Sequence, residues 1–121
     1  MRIEDSSGTR ILFREDGPVV SSSEDASDLL GTAWFEHVDV VAVPVRMVDP
    51  RFFDLGSGFA GELAQKAVNY RVLLAVVGDI AAFEERSTAF RDFVWESNRA
   101  SHVWFVPDEA QLIERLASRV G

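Results

Sequence analysis

The chain has 121 residues, 47% of them apolar, with 12 basic against 20 acidic side chains and a formal charge of −8. That is one domain's length with enough apolar content for one core, and the charge repels phosphate backbones, so no nucleic-acid partner is expected. Cysteine is absent, which removes disulfides and thiolate metal sites. No apolar run reaches the ~18 residues of a membrane span and no charged-then-apolar leader opens the chain. The expectation is a cytoplasmic, soluble protein with no membrane partner.

Met1 to Gly8 is polar and reads as a frayed start, leaving residues 10–120 as the domain. Arg10 to Arg14 is a short strand, Glu15-Asp16-Gly17-Pro18 a turn, and Val19-Val20 a second short strand. Ser22 and Asp25 have capping-box spacing. The apolar positions after them, Ala26, Leu29, Leu30, Ala33, Trp34 and His37, make one face at a 3.6-residue period, which predicts a helix. Val38 to Val45 is a β-branched run suited to a strand buried on both faces. An irregular connection over residues 46–53 leads to a second helix from about Ser57 to Asn69, with Ala60, Leu63, Ala64, Ala67 and Val68 inward. Val72 to Val77 is the next buried strand, stopped by Gly78-Asp79. A third helix, capped by Ser87 or Thr88, buries Phe90, Phe93 and Val94 and ends near Asn98. His102 to Val106 is the last strand. Asp108 with Gln111 caps a final helix whose inner face is Glu109, Leu112, Ile113, Leu116, Ala117 and Val120.

The order is ββαβαβαβα, a single α/β domain with a mostly parallel sheet, helices on both faces and the N-terminal strand pair at one edge. Open parallel sheets bind ligands beyond the carboxyl ends of their strands. That edge gathers Asp54 to Gly58, Gly78-Asp79, Ser87-Thr88 and Asp108, with Glu96 to Arg99 at the opposite edge.

The richest stretch is Phe53-Asp54-Leu55-Gly56-Ser57-Gly58-Phe59-Ala60-Gly61-Glu62-Leu63. Gly56 to Gly61 fits G-x-G-x-x-G with Asp79 as a ribose-binding acid. About ten residues separate Val45 from Gly56, however, where a dinucleotide fold allows almost none. The plainer reading is that Gly56 and Gly58 make a tight turn and Gly61 lets the helix pack close to the sheet. Leu55 stands where a nucleophile elbow needs glycine. The only imidazoles, His37 and His102, fall far from Ser57, so no catalytic residues are assigned. No metal and no cofactor are expected. Asp54 is a candidate N-cap of the second helix, Asp79 a turn residue or working carboxylate, and the three tryptophans core or interface residues.

The run Phe53-Asp54-Leu55…Ser57-Gly58…Ala60-Gly61-Glu62…Gln65-Lys66…Asn69-Tyr70, then Val77-Gly78-Asp79, then Arg91-Asp92-Phe93…Glu96-Ser97-Asn98, resembles the family called domain of unknown function 4180. The likeness spans about Arg10 to Leu116 and carries no known activity with it. More distantly, the element order and the Asp54-x-x-Ser57-Gly58 turn are similar to the sulphate-transporter and anti-sigma-factor-antagonist domain (STAS). That resemblance implies a STAS-like fold and a phosphorylatable serine at Ser57, with one extra residue between Asp54 and Ser57.

The function expected is a non-enzymatic regulatory module with a protein partner, switched at Ser57 and acting through Asp54, Ser57, Gly58, Glu62, Asp79 and Ser87. A homodimer is left open. The alternative is a small-molecule or nucleotide-binding domain using residues 56–61 and Asp79.

Overall fold

Strands run through the molecule in the order in which they are made. The computed structural model describes residues 1–120, with side chains through Ser118, so the side chain of Val120 lies outside the described residues. Its sheet is β1 (Arg2–Ser6), β2 (Thr9–Phe13), β3 (Val40–Pro44), β4 (Leu73–Val77) and β5 (Val103–Val106), side by side in that sequence. β1 pairs antiparallel with β2, and every later pair is parallel. The helices are α1 (Ser23–Phe35), α2 (Phe59–Tyr70), α3 (Ala81–Arg86), α4 (Thr88–Arg99) and α5 (Glu109–Val120).

Sequential parallel strands joined by crossovers of one hand must place every crossover on the same face. Leu29 and Leu30 of α1, Leu63 and Ala67 of α2, and Phe90 and Val94 of α4 accordingly share one core with Leu12, Val41, Val43, Leu74, Val76 and Phe105. The other face, with Ile11, Phe13, Val40, Ala42, Ala75 and Trp104, packs on Leu112 and Leu116 of α5. The expected helices on both faces are present, divided four to one, with α3 packing Phe83 on the first.

The N-terminal pair differs from the sequence expectation. Met1 to Gly8 does not fray: Arg2–Ser6 forms an edge strand in register with β2, from Arg2 opposite Phe13 to Ser6 opposite Thr9. Ser7 (φ 52°) and Gly8 (φ 80°) supply the two left-handed residues of a two-residue hairpin turn. An edge strand needs only one apolar side chain, which is why a polar composition misleads. Val19-Val20 is not a strand of the sheet; Val20 makes one isolated parallel bridge to Val48.

Six phenylalanines tie the carboxyl half together. Phe53 stacks on Phe83 at 4.0 Å and meets Phe90 edge-on at 5.6 Å, while Phe105 touches Phe52, Phe90 and Phe93 at 6.0, 5.7 and 6.1 Å. These rings hold residues 45–57 as three short 3-10 turns, Val45–Met47, Pro50–Phe53 and Leu55–Ser57, in place of an irregular connection. Of the expected inner face of α2, Val68 is turned out and 40% exposed.

Candidate functional site

The carboxyl edge carries two features, a turn before α2 and a groove beside α4. In the turn, the Asp54 carboxylate accepts from the Gly56 N–H at 3.1 Å. Asp54 therefore caps the 3-10 turn Leu55–Ser57 and not α2, because that turn and Gly58 intervene before the helix starts. Gly58 sits at φ 80° between them, a conformation that suits glycine. The Ser57 hydroxyl lies 2.6 Å from the Arg51 carbonyl and 2.7 Å from that of Asp54, and accepts from the Phe59 N–H at 3.2 Å. Its single proton is shared between two carbonyls. Ser57 is exposed as a residue, yet its oxygen is fully engaged in shaping the turn.

Glu62 is exposed in the first turn of α2, where the helix dipole favours its charge. Gly61 differs from expectation: a Cβ built there meets nothing within 4 Å, so this glycine does not bring the helix close to the sheet. Gly56 would meet only the Asp54 carboxylate, at 3.3 Å.

Asp79 is apart from that turn. Its carboxylate accepts from the Ala81 N–H at 2.9 Å, which makes it the turn residue that starts α3. Gly78 precedes it at φ 139°, with Val45 pressed against the place a Cβ would take. Ser87 caps α4 by accepting from the Phe90 N–H at 3.1 Å. Asp54, Ser57, Gly58 and Glu62 thus form one unit, Asp79 a second and Ser87 a third. Only packing joins them, through Phe53 of the Pro50–Phe53 turn and Phe83 of α3.

The groove, of about 720 Å³, starts at the carboxyl ends of β4 and β5 and runs along α4. Arg91, Trp95 and Arg99, spaced by four, line one wall; Asp79, Ala81 and Glu84 line the other. Asn98 and Arg99 do not lie at the opposite edge, because α4 runs alongside β5 and the Asn98 side-chain oxygen accepts from the Phe105 N–H at 2.7 Å. Trp95 is 63% exposed, with the Arg99 guanidinium 4.3 Å from its ring centre. Neither Arg91 nor Arg99 forms an ion pair among the described residues. Of this groove, sequence reasoning placed Gly78 and Asp79 at the carboxyl edge, and only Asp79 as a candidate site residue. The signal it passed over was the i, i+4, i+8 spacing of Arg91, Trp95 and Arg99 on one helical face.

Among the described residues, no helix is long and apolar enough to cross a membrane. No curated protein and no solved structure matches the chain. The pattern of a domain of unknown function, DUF4180, matches residues 7–116, which takes in every strand from β2 to β5, the turn at Ser57 and the groove. The chain belongs to the DUF4180 family.

Proposed function

We propose that this domain is a non-enzymatic protein-interaction module whose partner docks in the groove along α4. The observation that carries the reading is the Arg91–Trp95–Arg99 stripe, with Trp95 63% exposed on the lip of an apolar-floored groove. Tryptophan and arginine are the side chains most enriched among interface hot spots. Two arginines with no ion pair among the described residues, on a chain of net charge −8, select a partner segment bearing carboxylates.

The same reading gives Ser57 a regulatory part. A phosphate there removes the proton that holds the Arg51 and Asp54 carbonyls and adds roughly −1.5 to −2 charges. The turn opens, and Phe53 transmits the change to Phe83, on the helix that forms the facing wall. α3 has no fully buried residue, so it is the wall free to move. The element order and the Asp54-x-x-Ser57-Gly58 turn before α2 support a STAS-like module of this kind, with the extra residue accommodated by the 3-10 turn that Asp54 caps.

The test is capture of partners from the native host by wild type, Trp95→Ser, Ser57→Ala and Ser57→Asp. Trp95→Ser is expected to lose the partner, Ser57→Asp to change the captured set, and Ser57→Ala to bind while losing turn hydrogen bonds worth about 1 kcal/mol. Equal capture by all four forms overturns the reading. One observation favours a second: the groove's volume falls within the ~300–1,000 Å³ of small-molecule sites, and Asp79 lines it. A thermal shift with a nucleotide, abolished in Asp79→Ala, would support that alternative.

A further inference from the structure

The amino edge of the sheet carries a second exposed surface, which shares no lining residue with the groove. Trp34 and Phe35, at the end of α1, are 63% and 75% exposed, and Val68 of α2 is 40% exposed. Between the two helix ends runs a cleft of about 570 Å³ lined by Trp34, Phe35, His37, Tyr70 and Arg71. Arg71 also borders a neighbouring cleft of about 530 Å³, with Val68 and His102. Apolar knobs and the clefts that could receive them therefore lie on one patch.

The two helices end identically. The Val38 N–H bonds the Ala33 carbonyl and the His37 N–H that of Trp34; the Val72 N–H bonds Ala67 and the Arg71 N–H Val68. Each is a Schellman ending, which calls for glycine at the left-handed position. Here those positions hold His37 (φ 58°) and Arg71 (φ 57°). Both of these left-handed side chains line the cleft between the two helix ends.

We infer that this patch is the interface of a twofold homodimer, Trp34 and Phe35 of each copy entering the cleft of the other. Twofold contacts require a patch complementary to itself, with knob and cleft together. The charge pattern favours a second copy. The chain carries −8, so two copies repel over most of their surface, yet this patch sets Arg71 against Asp39 and Glu36 and is only weakly acidic. Arg71 forms no ion pair among the described residues, and a second copy would bring the exposed Glu36 to the same patch. The two exposed rings contribute on the order of 300 Å² per copy, the centre of a small interface, so the dimer expected is a weak, concentration-dependent one.

Sedimentation equilibrium of the purified chain tests this. Wild type is expected to convert from monomer to dimer with rising concentration. Trp34→Ser/Phe35→Ser, which removes only exposed rings, weakens the dimer by at least ~10-fold and keeps the wild-type melting temperature at concentrations where wild type is monomeric. Arg71→Gly separates the interface from the fold: at those same concentrations it raises the melting temperature, while it weakens association. A wild-type chain that stays monomeric to submillimolar concentration overturns the inference, as does a dimer that the double variant leaves intact. The groove along α4 lies elsewhere, so loss of partner capture by Trp95→Ser is independent of either result.

Discussion

At the scale of single residues, glycines that look alike in sequence do opposite work. Gly61 belongs to a glycine-rich stretch and invites a ligand-binding reading, yet its side-chain position is open. Gly78 reads as the end of a strand, yet a Cβ there falls 2.9 Å from Val45 Cγ2 and 3.2 Å from its Cβ. Valine is stiff about χ1 and opens the 3-10 turn that follows β3, so it cannot easily swing aside. Alanine at position 78 also inherits φ 139°. Gly78→Ala is therefore expected to lose about 2–4 kcal/mol, from overpacking and backbone strain together. Gly61→Ala is expected to gain up to ~1 kcal/mol by helix propensity. Urea unfolding of both variants checks the pair of signs, and the reverse order would show that the turn at 56–61 is the constrained one. No sequence pattern distinguishes these two glycines, because what separates them is the approach of a residue more than thirty positions away.

Elements were legible where burial imposes a period. β3, β4 and β5 appear as β-branched runs because both faces are covered, and α1, α2, α4 and α5 as apolar stripes because one face is. What escaped was structure stabilised from outside itself. β1 has a polar composition and exists because β2 offers it a register; α3 is six residues long with no side-chain cap. The 3-10 turns over 45–57 have no period to detect and owe their shape to the phenylalanine cluster. Half of the candidate site was hidden for the same reason: Asp54, Ser57 and Ser87 were found as helix-start chemistry, while the wall made by Arg91, Trp95 and Arg99 emerges only when α3 and β5 lie opposite. Phe52 shows the dependence most directly. It is fully buried inside a segment that reads as a loop, 5.3 Å from Phe53 and 6.0 Å from Phe105. Phe52→Ala is expected to cost about 3–5 kcal/mol by the cavity it leaves, measured by urea unfolding. A cost below ~1 kcal/mol would mean that the cluster is not what orders the turns.

For the whole molecule, the order of strands has an unequal consequence for its two faces. Crossovers of one hand between sequential strands leave the second face to the segment after β5, and that segment is α5. Four crossover helices share the first face; Leu112 and Leu116, 0% and 2% exposed, are the fully buried side chains that α5 brings to the second among the described residues. The helix is held at its start by Glu109, which accepts from the Arg2 guanidinium of β1 at 2.5 Å, and further along by Arg115, which donates to the Asn98 carbonyl and lies 3.9 Å from the Trp104 ring centre. These polar ties are partly exposed and contribute little by comparison with the buried leucines. Leu112→Ala and Leu116→Ala are each expected to cost ~2–5 kcal/mol, and both together approach the whole stability of a domain whose total is only about 5–15 kcal/mol. If α5 alone seals that face, the double variant keeps helical signal from α1, α2 and α4 while losing the fixed environment of Trp104, which packs beneath α5. The expected signature is far-UV circular dichroism largely retained, near-UV signal lost and an apolar dye bound. Arg2→Ala, which releases the polar tie without opening the face, is expected to leave all three unchanged. A double variant with native near-UV signal would show that the second face is sealed by the sheet's own edge strands, and that α5 is an appendage.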